Sequence, residues 1–67
     1  MSVAKVTEIS AESPDGFEAA IQVALKRASQ TLKHVESAWV KEQHVRVSEG
    51  RIQAYRVHLK VTFILDD

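Results

Sequence analysis

The segment from residue 52 to residue 65, IQAYRVHLKVTFIL, constrains the fold of this chain more than any other stretch. Apolar and polar side chains alternate along it, which is typical of a β-strand with one face on a core and one polar face. We predict that its odd-numbered residues face the core: Tyr55, Val57, Leu59, Val61, Phe63 and Leu65. Its even-numbered residues then face away from the core: Arg56, His58, Lys60 and Thr62.

A helix is predicted upstream of this strand. The segment SPDGFEAA carries the start signals, with Ser13 as the N-cap and Pro14 at the first helical position. Apolar residues then recur at three- and four-residue spacings, the pattern of one face of an amphipathic helix of about five turns. That stripe consists of Phe17, Ala20, Ile21, Ala24, Leu25, Ala28, Leu32 and Val35.

A long strand is predicted between the helix and the last strand, over residues 37–47, SAWVKEQHVRV. Its apolar residues change phase, because Ala38 and Val40 have even numbers whereas Val45 and Val47 have odd ones. Either a one-residue bulge near position 43 restores a single face, or the far half of the strand packs on a neighbouring subunit. Trp39, the sole tryptophan, falls on the face opposite Ala38 in both cases.

The order of these elements predicts the topology of the whole chain. Residues 3–9 form a first strand whose alternation is too poor to assign an inner face, and Ser48 to Gly50 form a hairpin loop. A right-handed crossover makes the first two strands parallel and leaves the third strand to fit between them. We therefore predict a single α+β domain over residues 1–67, with the order β-α-β-β.

The small size of the chain predicts an oligomer. A solitary domain of 67 residues is only marginally stable, and small domains usually gain stability from disulfides, a structural metal or oligomerisation. The chain has no cysteine, so disulfides and thiolate metal sites are excluded. Subunit association is the remaining means of stabilisation, and a large aromatic side chain on an outer face is consistent with it.

Charge and motifs exclude several functional classes. Nine basic and nine acidic residues cancel, which argues against a general surface for nucleic acid or membrane. The segment MSVAKVTEIS lacks an apolar signal-peptide core, and we expect a cytoplasmic protein. No catalytic set, phosphate loop or metal-binding spacing is present, so we expect neither an enzyme nor a metal site.

The polar face of the sheet carries the one candidate surface. Its row from Arg56 to Thr62 is either solvated or part of a binding surface shared with the neighbouring strand. Trp39 on that surface stacks on a flat ligand or packs against another subunit, and subunit packing is the favoured interpretation. The neighbouring strand contributes Ser37, Trp39, Lys41 and, depending on the bulge, Gln43.

The chain as a whole resembles the dodecins, small flavin-binding proteins of about this length. The similarity runs from SPDGFEAAIQVALKRASQTL through ESAWVKEQ to GRIQAYRVHLKVTF. It implies a three-stranded antiparallel sheet curled around one amphipathic helix, with twelve copies forming a hollow shell. It also implies flavin dimers held between subunits by tryptophans, FMN or riboflavin as the ligand, and a role in storing or quenching free flavin.

The resemblance places the family's site on residues that depart from its pattern. The flavin-stacking tryptophan of the family falls on Ser37, and Trp39 lies two residues further along the same face. The family's edge-contacting glutamine falls on Arg56, and a basic position that helps hold a phosphate falls near His44. An arginine common before the terminal leucine is Ile64 here. The candidate ligand-binding residues are therefore Ser37, Trp39, Arg56 and His44.

Two functional hypotheses follow. The first is an oligomeric shell that binds, stores or sequesters a flavin or a related flat ligand. The second is a dodecin-shaped assembly that does not bind flavin and has a structural, ion-binding or unknown role. The family's function favours the first hypothesis, whereas the departures at Ser37 and Arg56 favour the second.

Overall fold

The computed structural model describes residues 3–65, which form one helix and three strands. The strands are β1 (Ala4–Ser13), β2 (Val35–Ser48) and β3 (Arg51–Ile64), and the helix is α1 (Phe17–Thr31). The sheet order is β1-β3-β2, with β3 antiparallel to both neighbours. The predicted β-α-β-β order and the central place of the last strand are therefore confirmed.

The core lies between α1 and the middle of β3. Val57, Leu59 and Val61 are fully buried there, as their alternation predicts. The helix contributes Ala20 and Ala24, whose small side chains allow its axis to lie close to the sheet. Tyr55 and Phe63, also predicted to face inward, are half-buried at the two ends of this row, whereas Leu65 lies beyond the strand and is 41% exposed.

The predicted start of the helix is wrong by three residues. The N-cap is Gly16, with φ 132°, and no side chain caps the helix. Ser13 instead ends β1 in register with Tyr55, and its Oγ accepts a hydrogen bond from the backbone N–H of Asp15 at 3.0 Å. Because Ser13 is still held in the sheet, the chain must reverse direction through Pro14 and Asp15 before a helix can form.

The helix is also shorter than predicted. It ends at Thr31, and Leu32 is extended while its N–H still bonds to the Ala28 carbonyl at 2.8 Å. Val35, which the helical stripe included, belongs to β2 and still packs against the core. The apolar periodicity continues across the boundary because both elements contribute side chains to the same core.

The bulge predicted near Gln43 lies between Val40 and Glu42, with two further register shifts elsewhere in β2. Ala38 and Val40 pair with Val61 and Leu59, and after the bulge Gln43 and Val45 pair with Val57 and Tyr55. Cross-strand partners share a face, so these β2 residues lie on the side of the sheet that faces α1. The alternative placement of Gln43 beside Trp39 is therefore wrong.

The β2–β3 connection is a two-residue turn. Glu49 and Gly50 both have positive φ, 51° and 75°, which is the geometry of the tight hairpin turns that match strand twist. Ser48, assigned to the loop in the sequence analysis, pairs with Arg51 and belongs to β2.

The long hairpin extends beyond the cover that one helix provides. The chain measures 51 × 19 × 13 Å, and most of β2 is exposed. On the helix-facing side of the sheet, Val47 and Ile52 pair with each other and are 60% and 51% exposed. This apolar surface is consistent with the expectation that a single chain does not complete its own fold.

Replacing Leu59 by alanine should lower the free energy of unfolding by about 2–5 kcal/mol, because the change leaves a cavity at the centre of the core. Urea unfolding at one fixed chain concentration measures the loss, since an oligomer's apparent stability depends on concentration. Lys26→Ala, on the exposed side of α1, is the control and should change stability by less than about 0.5 kcal/mol. Equal effects of the two changes would contradict the position of the core.

Candidate functional site

The surface of the sheet opposite α1, here called the outer face, carries polar side chains from all three strands. The cross-strand register places on it every residue that the sequence analysis proposed for ligand binding. Around these four residues the register adds acidic, hydroxyl and basic groups. The polar and aromatic residues of the outer face include Glu8, Ser10, Glu12, Ser37, Trp39, Lys41, Glu42, His44, Arg46, Arg56, His58, Lys60 and Thr62.

Trp39 is the most exposed large apolar residue of the described chain, with 70% of its surface open. It pairs with Lys60, whose Nζ lies 5.8 Å from the centroid of the indole ring. Ser37 pairs with Thr62 at the next outward-facing position. Trp39 therefore offers a flat aromatic surface with a cation beside it and two hydroxyl groups at one side.

A hydrogen-bonded cluster around Glu8 links the three strands. Glu8 Oε1 lies 2.6 Å from His58 Nε2 and 3.2 Å from Lys41 Nζ, while Ser10 Oγ lies 2.7 Å from His58 Nδ1. A carboxylate only accepts, so His58 Nε2–H donates to Glu8. The hydrogen bond from His58, followed by that from Lys41, lowers the pKa of Glu8 below its ordinary value of 4.5.

A second ion cluster lies on the hairpin side of the first. Arg46 Nε donates to Glu12 Oε1 at 2.9 Å, and Arg56 Nη2 lies 3.6 Å from Glu12 Oε2. The hydrogen bond from Arg46 is the largest cause of the lowered pKa of Glu12. Arg56, the proposed edge contact for a ligand, is therefore already engaged by a carboxylate of its own chain.

The structure brings the predicted site residues together in two separate pairs. Ser37 lies beside Trp39, and His44 lies opposite Arg56. Along β3, Arg56 is four residues from the partner of Trp39, which corresponds to about 13 Å of strand. The two pairs therefore form separate parts of the outer face.

The acidic residues of β1 were missed as members of this surface. Neither Glu8 nor Glu12 was among the residues predicted for this surface. Glu8, Ser10 and Glu12 alternate with Ile9 and Ala11, and that pattern could have identified their common face. The signal is lost at the start of the strand, where Lys5 and Thr7 face α1 and Val6 faces outward.

Other kinds of site are poorly supported by the described residues. Within residues 3–65, no group of three His, Cys, Asp or Glu side chains is placed to hold a metal ion. An open groove of about 650 Å³ lies between α1 and β1, and none of the four proposed ligand-binding residues lines it. The helix of residues 3–65, α1, is not long and apolar enough to cross a membrane.

Comparison with known proteins identifies the family. The dodecin family model matches residues 3–66. The chain belongs to the dodecin family. It is 42% identical to the dodecin of Thermus thermophilus over 97% of its own length and 94% of the relative's. It is also 36% identical to the calcium dodecin of Mycobacterium tuberculosis, over 94% of this chain and 89% of that one.

Solved dodecin structures have the same fold. A variant of the Thermus thermophilus dodecin superposes with a TM-score of 0.94 at 40% identity, covering 100% of both chains. The Streptomyces davaonensis dodecin gives 0.93 at 36% identity, covering 98% of this chain and 97% of that one. The Mycobacterium tuberculosis calcium dodecin, described as having a novel calcium-binding site, gives 0.83 at 36% identity over 97% and 93%. The resemblance and the curled, open sheet are therefore confirmed.

Acid should weaken the fold through Glu8 and Glu12. Their pKa values are lower in the folded chain than in the unfolded one, so the unfolded chain binds more protons in acid. Their contribution to stability is complete above about pH 4.5 and disappears as pH falls through the lowered pKa values. Thermal melts between pH 7 and pH 3 measure this dependence.

The variant Glu8→Gln/Glu12→Gln should flatten the acid branch of the melting curve relative to the parent, whereas Glu49→Gln in the hairpin turn should not. The difference in melting temperature between the parent and the double variant should be modest, because both carboxylates are solvent-exposed. An identical acid branch in the parent and the double variant would contradict the role of the two clusters.

Proposed function

We propose that this chain forms a dodecin-type homododecamer that binds a flavin or a related flat ligand on the outer face, between subunits, and sequesters it in the cytoplasm. The exposed indole of Trp39 carries the proposal, because 70% of this large side chain is open to solvent in the isolated chain. Dodecins typically bind flavins and assemble as dodecamers.

We place subunit assembly and ligand binding on the same surface because either one would bury the exposed indole of Trp39. Aromatic side chains provide large apolar areas and anchor interfaces, and they also stack on flat rings. Val40, Val47 and Ile52 leave further apolar surface open on the other side of the sheet. Neighbouring subunits that cover β2 would remove both surfaces from water.

Flavin binding should be weaker than in dodecins that retain the full motif. Ser37 provides a hydroxyl where the family has a stacking ring. Arginine only donates hydrogen bonds, whereas the edge of a flavin ring carries both donors and acceptors. Arg56 is in addition paired with Glu12 at 3.6 Å, so a ligand would compete with that carboxylate.

Calcium binding is the principal alternative, because one relative is a calcium dodecin. Two of the three carboxylates of the outer face, Glu8 and Glu12, do not favour it here. Glu8 is paired with Lys41 and accepts a hydrogen bond from His58, and Glu12 is paired with Arg46 and Arg56, so cations of the same chain already compensate both carboxylates. Binding of a flat ligand without catalysis is the function that this surface supports best.

Light scattering at micromolar concentration should give a mass of about 90 kDa, twelve times the 7.5 kDa of one chain. Trp39→Ala should weaken the assembly by about 2 kcal/mol or more if the indole anchors an interface. Trp39→Phe is the matched control, since it keeps an aromatic ring and should preserve the mass. A stable 7.5 kDa particle from the parent chain would refute the proposed assembly.

Titration of riboflavin and FMN with the purified protein, followed by quenching of flavin fluorescence, should show binding at micromolar levels or weaker. The double change Ser37→Trp/Arg56→Gln should strengthen it, because it adds a ring to stack on and an acceptor for the flavin edge. Thr62→Ser, which keeps a hydroxyl beside Ser37, is the control and should leave the affinity unchanged.

One result of this titration would contradict the predicted weak affinity, and another would contradict flavin binding itself. Nanomolar binding by the parent chain would mean that Ser37 and Arg56 do not weaken the site. Absence of binding in the parent together with no recovery in the double variant would remove flavin as the ligand. Calcium-dependent stabilisation without any flavin binding would favour the calcium alternative.

A further inference from the structure

The partner of Lys60 differs from the partners of Lys41, Arg46 and Arg56. Lys41 is paired with Glu8, and both Arg46 and Arg56 are paired with Glu12. Among the described residues no carboxylate lies within ion-pair distance of Lys60. Its ammonium group instead lies 5.8 Å from the centroid of the Trp39 ring.

The carboxylate nearest to Lys60 in the sheet register is committed elsewhere. Glu8 is directly opposite Lys60 on β1, but its Oε1 accepts from His58 at 2.6 Å and from Lys41 at 3.2 Å. Lys60 therefore keeps its charge uncompensated beside an exposed aromatic ring, in a chain whose formal net charge is zero. An uncompensated cation beside a stacking surface favours a ligand that is both flat and anionic.

We infer that Lys60 makes the Trp39 surface selective for a flat heteroaromatic ring that carries a phosphate group. The ring stacks on Trp39, and the phosphate accepts hydrogen bonds from the Lys60 ammonium. This inference rests on the proposed function and specifies the chemical class of its ligand. It adds Lys60, predicted from the sequence only as part of the polar row from Arg56 to Thr62, to the four candidate ligand-binding residues.

Lys60 can bind a phosphate without giving up a strong interaction. A lysine above an exposed aromatic ring is held weakly, whereas hydrogen bonds between an ammonium group and a phosphate are charge-assisted and stronger. The ammonium can therefore leave the indole for a phosphate. Ser37 and Thr62, the next outward pair of the sheet, bring two hydroxyl groups that can also donate to it.

The other basic groups of the outer face are less suited to a ring on Trp39 of the same chain. His44 pairs with Arg56, four residues along β3 from Lys60, which corresponds to about 13 Å of strand. Arg46 and Arg56 would first have to give up Glu12, to which Arg46 donates at 2.9 Å. Lys60 is therefore the cation of this chain that is both close to Trp39 and available.

Paired titrations of FMN and riboflavin test the inference, because the two molecules share a ring and differ in the phosphate. FMN should bind about tenfold more tightly at low salt, and the preference should shrink as salt rises. Lys60→Gln should abolish the preference and change riboflavin affinity by less than about twofold. Lys26→Gln, which removes a charge from the helix, should keep the parent preference.

A second pair of ligands, AMP and adenosine, tests selection for a phosphate independently of whether the bound ring is a flavin. Trp39 is the sole tryptophan, so quenching of its emission reports stacking directly. If neither flavin binds, the flavin part of the proposed function fails. A preference for AMP over adenosine that is lost in Lys60→Gln would still support selection for phosphate.

Light scattering of each variant shows whether its assembly is unchanged. If Lys60→Gln dissociates the oligomer, Lys60→Arg keeps the charge and should retain the parent preference. Equal affinities within both ligand pairs, an unchanged preference in Lys60→Gln, or no binding of any of the four ligands would overturn the inference.

Discussion

One helix can cover only part of a three-stranded sheet, and this constraint governs the rest of the structure. The apolar row at the centre of β3 is buried by α1, with Leu59 at its middle fully enclosed. The cover reaches β1 and β3 but leaves most of β2 open. The uncovered strand leaves apolar side chains such as Val40 and Val47 open to solvent, and the proposed oligomer would cover them with other chains.

The outer face follows from the same constraint. A face that is never covered by the chain's own helix can collect charged side chains, and here it carries two ion clusters built on Glu8 and Glu12. These clusters pair Lys41, Arg46 and Arg56 with carboxylates and leave Lys60 without an ion pair beside the exposed ring of Trp39. Assembly and ligand binding are therefore proposed for one and the same region of the sheet.

In the proposed site, Ser37 and Arg56 depart from the family's pattern, and Trp39 and Lys60 would supply the ring and the cation instead. The aromatic ring lies two residues from the family's stacking position, and the arginine is held by Glu12 at 3.6 Å. The cation nearest the ring is Lys60, at 5.8 Å from its centroid. A ligand that carries a phosphate would use this arrangement better than a neutral flavin would.

The parts of the fold set by strong local patterns could be predicted from the sequence. The alternation around Val57 and Leu59 predicts the central strand, and the four-residue apolar spacing predicts α1. The helix start was wrong because a serine before a proline favours an N-cap locally, while pairing with Tyr55 keeps Ser13 in the sheet. A local signal does not contain that long-range constraint.

The candidate site was less predictable for the same physical reason. The alternation in β2 indicated that Trp39 faces outward, and the register confirms this. The contacts of Glu8 and Glu12 join residues that are far apart in the sequence, so they depend on strand order and on the bulge between Val40 and Glu42. The binding role of Ser37, Trp39, Arg56 and His44 stays a prediction.

The environment of Trp39 in the ligand-free assembly tests the central claim most directly, because its fluorescence comes from one residue alone. If neighbouring subunits cover the outer face, its emission should be blue-shifted and slowly quenched by acrylamide. Dissociation of the oligomer should then expose the indole and speed the quenching. Rapid quenching that is the same before and after dissociation would show that no subunit covers Trp39 and would contradict the proposed interface.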